Sequence, residues 1–113
     1  MKRIPLRRMP DPDGSILESI EVLRQIIRKP LDMQRGADID EVRKGIRLLD
    51  RLEQCDSNVL EIEDADWEHL VAKTRAMQWA IIDRRLLTIV DDVLDASEQL
   101  TLNDQLELAN SRN

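Results

Sequence analysis

Residues 59–96 read VLEIEDADWEHLVAKTRAMQWAIIDRRLLTIVDDVLDA, and this stretch decides the fold. In its first five residues, Leu60 and Ile62 alternate with glutamates, which is the period of two that a half-buried strand requires. From Trp67 onward the apolar residues recur every three or four positions instead. That spacing predicts a helix over residues 65–78 with one apolar face.

Two acidic residues, Asp64 and Asp66, stand where the period changes. Carboxylates there favour a helix start, because they accept hydrogen bonds from unpaired amides and oppose the positive end of the helix dipole. A second helix is predicted over residues 83–97. The apolar segment between the two helices should fold over the core, with Trp79 and Ile82 as its anchors.

Trp67 and Trp79 are the only aromatic residues of the chain. Two interpretations of them remain open. They are either the largest pieces of buried surface in the core, or at least one of them is a binding hot spot for a ligand or partner.

The N-terminal residues 2–8 alternate apolar and basic side chains, with Ile4 and Leu6 on one side. Pro5 has no amide to donate, so this strand should lie at an edge and pair on one side only. Its predicted partner is the strand at 59–63. The charged residues expected to face one another across the pair are Arg3 and Arg7 on the first strand and Glu61 and Glu63 on the second.

A capping box of Ser15 and Glu18 predicts a first helix over residues 15–29, which Pro30 ends. The residues before it, Met9 to Gly14, have the composition of a turn.

Asp38 with Glu41 predicts the start of a second helix, over residues 38–54. Gly45 in its interior costs about 1 kcal/mol relative to alanine, which suggests that another backbone comes close there. The stripe expected to be buried consists of Ile39, Val42, Ile46, Leu49 and Leu52.

These patterns predict an α+β fold that is mainly helical. One compact domain should comprise residues 1–97, followed by a weakly structured C-terminal tail at 98–113. The predicted elements are four helices (15–29, 38–54, 65–78 and 83–97) and one two-stranded sheet (2–8 with 59–63).

The composition excludes several classes of protein. The chain has 113 residues, no apolar run near the ~20 residues that span a bilayer, and no apolar leader, so a cytoplasmic location is expected. With one cysteine, Cys55, the chain cannot form an intrachain disulfide, and with one histidine, His69, no zinc site is expected; no cofactor is predicted. No enzyme is indicated, although a small enzyme using Asp64, Asp66 or His69 remains an alternative.

The net charge of −6 argues against direct binding to nucleic acid, since phosphate neutralisation needs clustered lysines and arginines. The acidic cluster of Asp91, Asp92 and Asp95 instead suggests a contact with a cation or with an arginine of another chain. The other interpretation is a solvated helix face. The apolar residues of the tail, predicted to bind a partner together with both tryptophans and the cluster, are Leu100, Leu102 and Leu106.

The segments 60–67 and 79–83, with 4–6 and 38–49, resemble small accessory proteins of tailed bacteriophages and prophages. The resemblance implies an accessory part in virion or tail assembly, or in modulating a phage or host machine, through protein contacts. A non-enzymatic interaction protein in the host cytoplasm is therefore expected, with a homo-oligomer left open. The alternative is an acidic inhibitor of a host nucleic-acid-processing protein.

Overall fold

The computed structural model describes residues 1–97. Within them the chain is α+β and mainly helical, as predicted; the predicted tail lies outside the described residues. The strands are β1 (Lys2–Pro5), β2 (Arg8–Pro10), β3 (Ile16–Glu18) and β4 (Val59–Ile62), and the helices are α1 (Ser19–Arg28), α2 (Ile39–Gln54), α3 (Asp64–Ala76) and α4 (Arg84–Leu94).

The predicted pairing of the chain start with its middle is confirmed. Strands β1 and β4 are antiparallel, with Ile4 opposite Leu60 and Lys2 opposite Ile62. The side chains of Ile4, Leu60 and Ile62 are all buried, so the alternation of both strands points to one core. The Nε atom of Arg3 lies 3.3 Å from the Oε1 atom of Glu61 across the two strands, as expected.

The predicted first strand, residues 2–8, is too long and breaks into two. The Leu6 amide still donates to the Asn58 carbonyl beside β4, and the chain changes partners at Arg7, where both backbone groups bind Ser19: the Arg7 amide donates to the hydroxyl, and the Arg7 carbonyl accepts from the Ser19 amide. The expected pair between Arg7 and Glu63 is therefore wrong, and Arg7 binds Asp92 on α4 instead.

The predicted start of the first helix at residue 15 is also wrong. Residues 16–18 form β3, which pairs with β2 as a hairpin, and α1 begins only at Ser19. The turn explains the difference: Gly14 adopts φ +92°, and Asp13 accepts a hydrogen bond from the Ser15 amide. That turn sends the chain back along β2 before the helix can begin.

Helix α2 begins as predicted, and Leu52 of the predicted stripe is buried, but the rest of the buried face is shifted. The Asp38 side chain accepts a hydrogen bond from the Glu41 amide at 2.8 Å. The buried positions are Gly45, Leu48 and Leu52, whereas the predicted members Ile39, Val42 and Ile46 are 62%, 43% and 51% exposed.

Packing against α1 selects the buried face of α2. A Cβ placed at Gly45 would lie 3.8 Å from the Ile27 carbonyl oxygen and 3.7 Å from its Cγ2. The α1 backbone thus comes close to Gly45, as the sequence suggested, at ordinary packing distances that alanine would also allow, and α2 turns this side inward. Leu49, at the boundary of the two faces, is partly buried.

The last two helices are close to prediction but end earlier. Helix α3 spans 64–76 rather than 65–78, and α4 spans 84–94 rather than 83–97. Beyond α4 the chain returns to the sheet, where the Arg3 amide donates to the Ser97 carbonyl at 2.8 Å. All four helices and the strands β1 and β4 contribute to one core. Its buried apolar members are Ile4, Leu6, Val22, Leu23, Ile26, Ile27, Leu48, Leu52, Leu60, Ile62, Leu70, Leu86, Ile89 and Val93.

Candidate functional site: an apolar surface on the fourth helix

Trp67 holds the fold together from a partly buried position. Its indole Nε1 donates to the Val93 carbonyl at 2.8 Å, which ties α3 to the end of α4. The Lys2 ammonium lies 4.7 Å from the ring centroid, in the geometry of a cation–π contact. Both ends of this side chain therefore contact other elements of the same chain.

Trp79 has different surroundings. It lines a groove of about 490 Å³ between the α3–α4 connector and α4. Ile81 and Leu87 line the same groove and are about three-fifths exposed, and Ile82 is fully exposed. The prediction that Ile82 anchors this connector to the core is therefore wrong, whereas Trp79 is partly buried and packs against the core, as predicted. We call this groove the α4 surface; its apolar members are Trp79, Ile81, Ile82, Leu87 and Val90.

The acidic cluster divides between two environments. The Asp92 carboxylate accepts two hydrogen bonds from the Arg7 guanidinium, at 2.7 and 3.0 Å, and both side chains are about nine-tenths buried. Asp91 and Asp95 are exposed on α4. Two of the three carboxylates therefore remain available to a partner, whereas Asp92 joins the chain start to α4.

A second group of exposed apolar side chains covers α2 and the connector before it. We call it the α2 surface; its members are Leu31, Met33, Ile39, Val42 and Ile46, all more than two-fifths exposed. A groove of about 320 Å³ runs beside it, bounded by α1 and by Leu49. Three of its members, Ile39, Val42 and Ile46, belong to the stripe that the sequence assigned to the interior.

The most polar part of the interior lies between α2 and α3. The Lys73 side chain is 3% exposed, and its ammonium donates to the Glu41 carboxylate at 2.8 Å and to the Lys29 carbonyl. The same carboxylate oxygen accepts from the Leu31 amide at 3.0 Å. Lys73 thus ties α3 to α2 and to the connector that follows α1.

Two pKa shifts follow from this arrangement. Burial raises the pKa of Glu41, but the hydrogen bonds from Lys73 and Leu31 outweigh it, so that the pKa lies below its ordinary value. Burial also lowers the pKa of His69, and the neighbouring charges of Lys73 and Lys44 lower it further. The His69 Nε2 atom is buried with no hydrogen-bond partner among the described residues, so no acceptor is in place for a second ring proton.

The polar side chains of Lys73, Glu41 and Cys55 make their contacts within the chain. Lys73 and Glu41 satisfy each other and the connector, and the Cys55 thiol donates to the Val59 carbonyl at 3.2 Å. Over residues 1–97, no group of three or more histidine, cysteine or acidic side chains is placed to hold a metal ion. None of the helices in this part of the chain is both long and apolar enough to cross a bilayer.

Of the residues predicted to bind a partner, the structure brings Trp79 together with the exposed face of α4, which carries Asp91 and Asp95. It places Trp67 and Asp92 in contacts within the chain, and Leu100, Leu102 and Leu106 lie outside the described residues. Sequence reasoning missed the exposure of Ile81, Ile82 and Leu87. Two adjacent isoleucines directly before the helix-capping Asp83 were the available signal.

The comparisons with known proteins add no relative: neither a family model, nor a curated protein, nor a solved structure matches the chain.

Proposed function

We propose that this chain is a non-enzymatic interaction protein that docks onto other proteins through exposed apolar surfaces. The observation that carries the proposal is the α4 surface, where fully exposed Ile82 stands beside Ile81, Leu87 and the ring of Trp79. Grouped apolar side chains of this size are typical of interaction sites, whereas single exposed ones are ordinary.

The α2 surface supports the same function. Its isoleucines and valine recur at intervals of three and four along the helix, which is the spacing that a partner helix or groove recognises. The two surfaces involve different helices, α2 and α4. One chain could therefore contact two neighbours, as an assembly component must.

The polar interior agrees with this function, because its charges are consumed by internal contacts. Lys73 and Glu41 bind each other and the backbone. The resemblance to phage accessory proteins would specify the setting as virion or tail assembly, with a phage or host machine as the partner. That setting stays a prediction.

The test is photocrosslinking from the surface itself. A photoreactive amino acid replaces Ile82, whose side chain is fully exposed. A matched variant carries it at Asp56, an exposed position in the turn between α2 and β4 that belongs to neither apolar surface. We expect adducts from position 82 that position 56 does not give, and we expect Leu87→Asp in the same chain to abolish them.

Salt separates the two kinds of partner. An apolar contact keeps its crosslinking yield as ionic strength rises, whereas an acidic inhibitor seated in a basic groove loses it steeply. Equal adducts from both positions, or adducts that survive Leu87→Asp, would contradict docking through the α4 surface.

A further inference from the structure

We propose that the α4 surface is covered by a second copy of this chain, with the two α4 helices packed antiparallel about a two-fold axis. This inference rests on the proposed function, because it takes the α4 surface to be a docking site and names what docks there. The distribution of charge along α4 matches this arrangement.

The outward side of α4 carries two adjacent stripes. Leu86, Ile89 and Val93 point into the core, so the opposite side faces solvent. One outward stripe is apolar and the other is polar, each following the spacing of three and four residues that keeps side chains on one helix face. The apolar stripe consists of Leu87, Val90 and Leu94, and the polar stripe of Arg84, Thr88, Asp91 and Asp95.

The polar stripe has opposite charges at its two ends. Arg84 lies in the first turn, and Asp91 and Asp95 lie at the other end, so Arg84 and Asp95 are separated by about 16 Å along the axis at 1.5 Å per residue. Among residues 1–97, none of these three side chains takes part in an ion pair. The charges are therefore free to meet a partner.

A second copy supplies the matching pattern only when it runs antiparallel. With Val90 near the axis, the two-fold places Arg84 of each copy opposite Asp95 of the other, which makes one pair of opposite charges at each end of the interface, while Asp91 lies near the axis. A parallel arrangement would bring arginine to arginine and aspartate to aspartate. Helix dipoles also favour the antiparallel arrangement.

The same axis places the apolar stripe of one copy against the apolar stripe of the other. Leu87 and Leu94 exchange places across it, with Val90 near the centre. Ile82 lies just before the first turn of α4, so in this arrangement it extends over the far end of the other copy's helix, near Ala96. Its exposure in the single chain is then accounted for, because the residue that covers it belongs to the other copy.

The arrangement also explains why two aspartates stand at the end of α4. Carboxylates near a helix C-terminus face the negative end of the dipole, and the last turn of α4 contains no basic residue to offset them. Arg84 of the other copy supplies the missing positive charge.

The test uses charge reversal at the two ends of the stripe. In a dimer, Arg84→Glu sets a glutamate against Asp95 at both ends, and Asp95→Arg sets two arginines against each other at both ends. Each variant alone should dissociate at least about tenfold more readily than the unaltered chain. Mixed in equal amounts, the two variants should pair again, because each end of the mixed dimer then joins opposite charges.

The readout is sedimentation equilibrium, with one variant carrying a tag of different mass so that the mixed dimer is distinguished. Arg35→Glu is the control for the net-charge change of −2 in Arg84→Glu, and circular dichroism checks that each variant is folded. We expect the unaltered chain and the control to form dimers, each single variant to be monomeric, and the mixture to form the mixed dimer.

Failure of this inference is distinguishable from failure of the proposed function. A chain that remains monomeric up to about 100 μM, or variants that fail to pair when mixed, would overturn the two-fold pairing. If Ile82 then crosslinks to a different protein, docking through the α4 surface stands with another partner. If position 82 gives no specific adduct with any protein, this chain included, the proposed function falls too.

Discussion

Charged side chains are usually exposed and apolar ones buried. Two regions of this molecule do the opposite: the interface between α2 and α3, and the surface of α4. At the first, a lysine and a glutamate are buried; at the second, two isoleucines and a leucine face solvent. Buried charge is stable when each group is paired and hydrogen-bonded, as Lys73 and Glu41 are. Exposed apolar groups have no such compensation within the chain. The buried charges of the interior therefore stabilise the fold, whereas the exposed apolar residues of the surface indicate contact with another molecule.

The two tryptophans follow the same division. Trp67 is held by the Val93 carbonyl and by Lys2, whereas Trp79 lines the α4 groove. The residue type alone did not distinguish them. The distinction comes from whether a polar partner lies within reach of the indole nitrogen.

The largest expected effect comes from breaking the buried pair. Lys73→Met leaves the Glu41 carboxylate buried without its cation, which should lower the free energy of unfolding by about 3–5 kcal/mol. Ile82→Ser, on the exposed side of the comparison, should change it by less than about 0.5 kcal/mol. Urea denaturation followed by circular dichroism measures both.

A double variant sharpens the result. Adding Glu41→Leu to Lys73→Met removes the unpaired charge and should recover part of the loss, even though the Leu31 amide then lacks its acceptor. If Lys73→Met and Ile82→Ser had equal effects on stability, the contrast between the two regions would be mistaken.

The next effect separates the tryptophans. Trp67→Phe removes the hydrogen bond to Val93 and part of the packed ring, and should cost about 1–2 kcal/mol of unfolding free energy. Trp79→Phe should cost less, about 1 kcal/mol or below, because it removes only part of a ring that packs against the core from a partly buried position and also lines an open groove. The same urea titrations suffice, and a larger loss for Trp79 than for Trp67 would reverse their assigned roles.

A smaller effect of opposite sign is expected inside α2. Gly45→Ala should raise the free energy of unfolding by about 0.5–1 kcal/mol, because the contacts its Cβ would make with Ile27 are ordinary packing distances and a helical glycine is costly. Gly14→Ala is the matched control; at φ +92° it should destabilise the hairpin by about 1 kcal/mol. A destabilising Gly45→Ala would mean that α1 approaches closely enough to require glycine.

The elements that could be predicted from sequence are those set by local patterns. Three such predictions were confirmed: the Asp38 cap, the alternation at Leu60 and Ile62, and the pairing of Arg3 with Glu61. Each follows from the type and spacing of residues that are close together in the sequence. Strand β3 was missed because Ser15 and Glu18 have the spacing of a capping box, while the turn at Gly14 determines the conformation there.

The candidate site was harder to predict, because exposure depends on contacts between distant parts of the chain. Helix α2 has two neighbouring faces that are both suitable for burial, and the packing of α1 against Gly45 selects between them. Lys73 looks like a surface residue until Glu41, 32 positions earlier, is brought beside it. Ile82 looks like a core residue for the converse reason, since no element of residues 1–97 covers it.

The last prediction concerns pH and the buried side of the comparison. The lowered pKa of His69 means that the folded state disfavours its protonated form, so its contribution to stability is present above about pH 6.5 and is lost as pH falls through the folded-state pKa. Glu41 also has a lowered pKa, but it stays ionised until lower pH, so its contribution is lost only below about pH 4.5. The interval between about pH 7.5 and 5.5 therefore isolates the histidine.

We expect the unfolding free energy to fall across that interval, and we expect His69→Leu, which has no proton to gain, to reduce the fall. Paired urea titrations of both proteins at the two pH values measure the difference. The exposed side supplies the control: Ile82→Ser should leave the pH dependence unchanged, because nothing on the α4 surface titrates in this range. An undiminished fall in His69→Leu would mean that another group takes up the proton, and the polar contacts between α2 and α3 would then not be the source of the acid sensitivity.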